Sequence, residues 1–382
     1  MTQPRLFASV FALVNVIAVS VFAADQPGAI SLDPSKFELR GTRAQQQLVV
    51  SGTFSAEDIR DLTSGVTYAS SNPNVVKIEG TLAKPVGDGT TQITATLGGL
   101  TASAEVTVKE FAMPSPVSFK NEMLAALTKA GCNMGACHGS PSGKGGFRLS
   151  LTAFDSTIDT LTLRSEFMQR RINPVQPDES LLVKKPMMEV AHGGGRRIKK
   201  GDPVHRVFHG WIGEGLRLDA DTVPDLVKIE AFPNKRVFRP AGSQQQLIVT
   251  ATFTDGSTRD VTPLTVFSSS NEQVGTVNES GLVSKGGRGE TAVLARFLDK
   301  MATSQITFLE DVPGFAWSNP PEHNFVDNLV FEKLKQLQIL PSDLCSDEEF
   351  LRRAYLDVTG RLPTIDETTA FLNDQTPDKR NQ

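Results

Sequence analysis

One feature limits the fold of this chain more than any other: a stretch near its N-terminus returns about halfway along it. Gln45-Gln46-Gln47-Leu48 recurs as Gln244-Gln245-Gln246-Leu247, Phe54 as Phe253, Arg60-Asp61 as Arg259-Asp260 and Ser70-Ser71-Asn72 as Ser269-Ser270-Asn271, always at an offset of 199 residues. A shared offset across separate matches marks an internal duplication. In the first copy, short alternating runs (47–54, 66–69, 75–78, 91–97 and 102–108) are broken by Asn72-Pro73 and Gly87-Asp88-Gly89. Period-two alternation with turn signals at this spacing predicts a small all-β sandwich, so two are expected. Neither copy offers a set of catalytic side chains, and a structural role is expected of both.

The 382 residues leave room for further domains. A net charge of −4, from 39 basic and 43 acidic residues, points to neither nucleic acid nor an anionic membrane as partner. At the N-terminus Arg5 precedes an apolar run from Leu6 to about Ser20, and Val21-Phe22-Ala23 follows. Small residues after a short apolar run predict a cleaved signal peptide over residues 1–23, a mature chain starting at Ala24, no membrane span after cleavage and an extracytoplasmic location in periplasm, cell surface or medium.

Between the copies lies Gly131-Cys132-Asn133-Met134-Gly135-Ala136-Cys137-His138-Gly139. Cys-x-x-Cys-His attaches haem in c-type cytochromes, the thiols adding to the vinyl groups and the histidine ligating iron. Here four residues separate the cysteines, so both sulfurs reach one porphyrin edge only if 133–136 bulge, which Gly135 would ease. The reading is therefore haem c with iron, Cys132 and Cys137 holding the cofactor and His138 the metal. A small disulfide loop is the alternative in an exported chain, and zinc is weaker because no second Cys/His pair stands at ligand spacing. For the second axial position the candidates are Met187, Met188, His192, His205 and His209, with His192 preferred and Met188 next, because Gly193–Gly195 free the loop to approach. Arg196, Arg197, Lys199 and Lys200 could face haem propionates or simply solvent. The His192-Gly-Gly-Gly run also matches an esterase oxyanion motif, but no Gly-x-Ser-x-Gly elbow accompanies it. Cys345, the third cysteine, sits in a helical pattern that suits a small packed side chain.

Around this motif, Phe119–Leu127 shows helical spacing, and Asp202-Pro203 starts a second helix with an apolar face of Val204, Val207, Phe208, Trp211 and Ile212. With Cys132–Gly139, Gly145–Leu151, Pro177–Leu182, Lys185-Pro186 and His192–Gly195, the segment resembles planctomycete-type cytochrome c domains. The two repeats resemble group 2 bacterial immunoglobulin-like domains through Ser-Ser-Asn before a Val-rich strand, Thr252–Ser257 and Gly281-Leu282-Val283. That resemblance implies spacer or adhesion modules with cell-surface or carbohydrate contacts. Phe350–Thr364 resembles the opening of a planctomycete secreted domain of unknown function, which in relatives runs beyond this chain's last residue.

The expected fold class is thus multidomain: two all-β immunoglobulin-like sandwiches (24–110 and 223–310) flanking an α-helical cytochrome c-like domain (111–222), with a truncated α-helical segment over 311–382. The leading expected function is one-electron transfer by covalent haem to or from an unidentified redox partner protein, as a carrier rather than a catalyst. The alternatives are an exported adhesion or scaffold protein with a Cys132–Cys137 disulfide and no haem, and a haem-bearing accessory part of an enzyme whose catalytic domain lies downstream.

Overall fold

The computed structural model describes residues 26–239 and 244–381. The expected signal peptide over 1–23 and the expected start at Ala24 lie outside the described residues. The chain divides into two compact units, one running to Leu309 and one from Glu310 onward.

The first unit opens with ten strands: β1 (Ala29–Asp33), β2 (Lys36–Arg40), β3 (Gln46–Gln47), β4 (Val49–Ser55), β5 (Asp58–Asp61), β6 (Thr67–Ser70), β7 (Val76–Glu79), β8 (Leu82–Pro85), β9 (Gly89–Leu97) and β10 (Leu100–Lys109). They pair in the orders β1-β4-β5, β2-β10-β9-β6 and β3-β8-β7, with β2 parallel to β10. Alternation places Thr91, Ile93 and Ala95 of β9 and Ala104, Val106 and Val108 of β10 in the core, since successive residues of a strand face opposite ways.

Four helices follow in the middle segment: α1 (Leu124–Lys129), α2 (Ser156–Arg164), α3 (Leu181–Met187) and α4 (Pro203–Gly213). The second repeat then supplies β11 (Leu226–Phe232), β12 (Lys235–Phe238), β13 (Gln244–Gln246), β14 (Ile248–Phe253), β15 (Thr258–Asp260), β16 (Val266–Ser269), β17 (Gly275–Val277), β18 (Leu282–Lys285), β19 (Gly289–Phe297) and β20 (Lys300–Phe308). Its sheets, β11-β14-β15, β12-β20-β19-β16 and β13-β18-β17, repeat the strand order of the first. The recurring Ser-Ser-Asn turn has a physical cause. In the first repeat Thr91 Oγ1 accepts the backbone N–H of Asn72 at 2.9 Å, and in the second Thr291 Oγ1 accepts that of Asn271 at 3.1 Å. A buried hydroxyl thus ties the turn to β9 or β19.

The repeats also pair with each other through matched residues. The Gln47 N–H donates to Asp260 Oδ2 at 2.6 Å, and the Gln246 N–H donates to Asp61 Oδ2 at 2.5 Å.

The expected architecture is corrected at its centre, where the structure holds no α-helical cytochrome c-like domain. Its four helices have 6, 9, 7 and 11 residues, and most of the remaining segment is turns. Helical periodicity over Phe119–Leu127 and along α4 is real, and α4 buries Val204, Val207, Phe208, Trp211 and Ile212. The intervening glycine-rich stretch and a left-handed run at Phe167, Met168 and Gln169 (φ 49°, 53° and 60°) keep the rest from winding into longer helices. The chain is predominantly β-sandwich.

In the second unit, α5 (Phe325–Gln336), α6 (Asp347–Thr359) and α7 (Ile365–Asn373) each open on a reciprocal capping box, at Asn324/Asp327, Ser346/Glu349 and Thr364/Glu367. Leu351 is the one buried apolar side chain among the described residues of this unit. No helix among the described residues is long and apolar enough to cross a membrane.

Candidate functional site

Helix α1 ends where Gly131 takes φ 71°, and the chain turns back on itself to carry the cysteines. The Cys137 N–H donates to Met134 O at 2.9 Å, the Gly139 N–H donates to the same carbonyl at 3.0 Å, and the His138 N–H donates to Cys132 O at 3.0 Å. The loop is therefore a set of overlapping turns. A Cβ on Gly139 would stand 2.2 Å from Asn133 O, so only glycine permits this closure. Gly135, expected to ease a bulge, is open to nothing nearer than 3.9 Å and takes no positive φ.

Cys132, Cys137, His138 and His192 line one cavity of about 390 Å³. Met188 is not among its lining residues: it sits at the C-terminal cap of α3 in a left-handed conformation (φ 62°), 43% exposed. His205 and His209 also stand apart from the cavity. His205 Nε2 lies 3.2 Å from Asp178 Oδ1, and His209 Nε2 lies 3.9 Å from it. The His138 ring Nδ1 is shared by two carbonyls, Phe147 O at 2.9 Å and Lys144 O at 3.1 Å. Burial holds this imidazole below its usual range, and neighbouring His192 and Arg171 push the same way against those carbonyls. His192 stacks on His138 with ring centroids 6.3 Å apart, and its Nδ1 lies 2.8 Å from Gly195 O. Burial pushes the Cys132 thiol up to about 12, with Cys137 adding to the effect. A thiol so raised stays protonated at neutral pH and is a poor nucleophile.

The cavity's cations are Lys144, Arg170, Arg171 and Lys185. The basic cluster of Arg196, Arg197, Lys199 and Lys200, which could face a cofactor or solvent, contributes none of them. Of that cluster, Arg197 Nε donates to Gly194 O at 2.8 Å and Lys200 pairs with Asp178 at 3.0 Å. The Arg170-Arg171 pair and the Gly143–Gly146 turn were the overlooked signals. A Cβ on Gly143 would meet Phe147 O at 2.2 Å, and that tight turn brings Lys144 and Phe147 to the wall.

The expected haem c and iron, and electron transfer through them, are corrected by this geometry. Attachment through Cys-x-x-Cys-His presents both sulfurs on a helical turn, whereas here the longer loop folds as tight turns. Among the described residues no group of three or more His, Cys, Asp or Glu side chains is placed to hold a metal ion. The residues do not fit the group, and no step is derived through it. What remains is a dithiol beside two imidazoles in a cavity edged by four cations.

Fold and site together define a protein of two repeated β-sheet domains with a thiol-bearing insert and a helical C-terminal unit. Residues 325–382 match the family model PSCyt2, described as a protein of unknown function (DUF1549). No curated protein sequence matches the chain at a significant level. Among solved structures the chain is similar to surface layer protein SbsC, domains 1–6, at 10% identity over 75% of this chain and 28% of that one, with a TM-score of 0.21. The chain therefore spans under a third of that relative's length. It is also similar to SbsC domains 5–6, at 10% identity over 75% of this chain and 99% of that one, TM-score 0.30, and to the D00-D0 domain of intimin, at 11% over 74% and 100%, TM-score 0.16.

Proposed function

We propose that this chain is an extracytoplasmic scaffold protein for cell-surface contact, in which two immunoglobulin-like sandwiches frame a compact insert and Cys132 and Cys137 are joined as a disulfide. The reciprocal pairing of the repeats, Gln47 on Asp260 and Gln246 on Asp61, carries the reading. It sets the two modules face to face. The short apolar run after Arg5 supports export. For the disulfide, the two cysteines lie five positions apart in the chain and line the same cavity. In forming the bond the pair loses two protons and two electrons to a disulfide carried by an extracytoplasmic thiol oxidoreductase, which is reduced to its dithiol. The closed loop would hold the turns of 132–139 against unfolding.

The test is to express the chain with its own leader in an exporting host and alkylate the recovered protein under denaturing conditions without reductant. One alkylated cysteine, Cys345, with a peptide pair short of two hydrogens at Cys132 and Cys137, is the expected result. Three alkylated cysteines, or an added mass on the Cys132–Cys137 peptide, overturn the disulfide. Retention in the cytoplasm overturns the export.

A further inference from the structure

The contact between the two repeats has the form of a two-fold interface made within one chain. Strand β5 of the first repeat lies against β12 and β13 of the second, and β15 of the second lies against β2 and β3 of the first. Each aspartate plays the same double part. Asp61 Oδ1 accepts the Thr63 N–H at 2.7 Å while its Oδ2 accepts from Gln246; Asp260 Oδ1 accepts the Thr262 N–H at 2.9 Å while its Oδ2 accepts from Gln47. When residue i of one body meets residue j of the other and j meets i, the surface is self-complementary and closes on a pair.

How each repeat is held to the insert differs sharply. The second repeat shares apolar core with it: Ala125 of α1 packs among Ile229, Val249 and Phe253, while Leu264 and Leu298 pack against the insert's own core. The core of the first repeat draws all its side chains from that repeat and the Phe111 that follows it. Polar groups hold it to the rest. Arg43 makes two bonds to Glu122 at 2.5 and 2.9 Å, Arg236 donates to Ser51 Oγ at 3.0 Å, and Glu57 pairs with Arg239. Residues 112–117, the link to the insert, lie in no helix or strand.

We infer that the first sandwich is a detachable arm whose interface recognises the second sandwich of another copy of this chain as well as its own, so that two chains exchange arms into a closed dimer. The polar contact offers no apolar core to break on release, and every bond lost within one chain is regained between two. Exchange therefore leaves the energy of the interface nearly unchanged, and concentration decides the balance. The inference does not depend on the scaffold reading.

The test uses the whole chain. Light and isotopically heavy forms are mixed at high concentration in sub-denaturing urea, returned to buffer, and read by light scattering and native mass. A mixed dimer of twice the chain mass, rising in share with concentration, is expected. The double variant Asp61→Ala with Asp260→Ala should lose it. Should that variant fail to fold, Glu57→Arg chains mixed with Arg239→Glu chains keep the test: each sets like charges against its own arm when closed on itself, and exchange sets each new charge against its opposite, so the mixed dimer should form in a larger share than between light and heavy wild-type chains. A wild-type chain that stays monomeric at every concentration overturns the inference. So does a mixture of the two oppositely charged variants that shows no preference for the mixed dimer.

Discussion

The sandwiches and the insert between them bury the same kinds of groups by different means. In the sandwiches, ladders satisfy the backbone and alternation sorts the side chains, so each strand decides locally which residues enter the core. The insert has short helices joined by turns, and its backbone is satisfied largely by single bonds at single residues. Buried Asp159 accepts both the N–H and the hydroxyl of Ser150 at 2.6 Å, and the Leu149 N–H donates to His138 O at 2.7 Å. The difference teaches where fragility lies. A ladder shares a loss among neighbours; a single bond does not.

The largest effect should come from the insert's central side chain. Trp211 is fully buried, stacks at a tilt against Phe119 with centroids 5.3 Å apart, and donates from Nε1 to Arg217 O at 2.8 Å. Trp211→Ala should cost about 3–5 kcal/mol, the usual range for emptying a large aromatic site. Because the first sandwich has a core of its own, chemical denaturation followed by both tryptophan-independent circular dichroism and proteolysis should split into two transitions, the insert yielding first. One unbroken transition would show that the two regions share their stability after all.

Next in size is Asp159→Ala. It strands the Ser150 N–H and hydroxyl in a buried place, for about 1–3 kcal/mol per unsatisfied group. The sandwich counterpart is a threonine: Thr63 Oγ1 accepts the Val50 N–H at 3.0 Å, and Thr262 Oγ1 accepts the Val249 N–H at 2.8 Å. Thr63→Val and Thr262→Val should each shift the urea midpoint by less than Asp159→Ala, and by similar amounts. Unequal shifts would mean that the repeats have diverged in stability while keeping their bonds.

These contrasts track what could be read from the sequence. Strand alternation and the 199-residue recurrence stand in the primary structure because a strand's pattern is local and a duplication copies it. The pairing of Gln47 with Asp260 was not legible, since its partners lie 213 positions apart and only the fold brings them together. In the insert, the apolar stripe of α4 obeyed helical spacing and was legible. The cavity was legible in part. Cys132, Cys137, His138 and His192 stood out by residue type and meet in one place, Lys144 comes in on the glycine turn of 143–146, and Arg170 and Arg171 follow a turn whose backbone breaks ordinary preference. Three successive non-glycine residues with positive φ, at Phe167–Gln169, cannot be foreseen from propensity. The helical domain expected there failed for the same reason: two periodic stretches were extended over a segment that is mostly turns.

The smallest effect sharpens the join between the two kinds of structure. Lys129, at the end of α1, donates from Nζ to Thr265 O and Glu279 O of the second sandwich, each at 2.5 Å, and lies 5.4 Å from the Phe267 ring centroid. Burial pushes its ammonium down to about 8 from the 10.5 of an exposed lysine, with Glu279 opposing. The sign follows from proton counting. Between about 8 and 10.5 the unfolded chain still holds a proton that the folded chain has released, so raising pH through that window favours the folded state; below it both states are protonated and the cost of burying the charge stays in full. Urea midpoints measured below and above the window should therefore rise more in the wild type than in Lys129→Met, which lacks the group. Tyrosines and other lysines titrate in both proteins and cancel in the difference. Equal pH responses would place the Lys129 ammonium in contact with water, and the insert would then meet the second sandwich through apolar packing at Ala125 rather than through a buried charge.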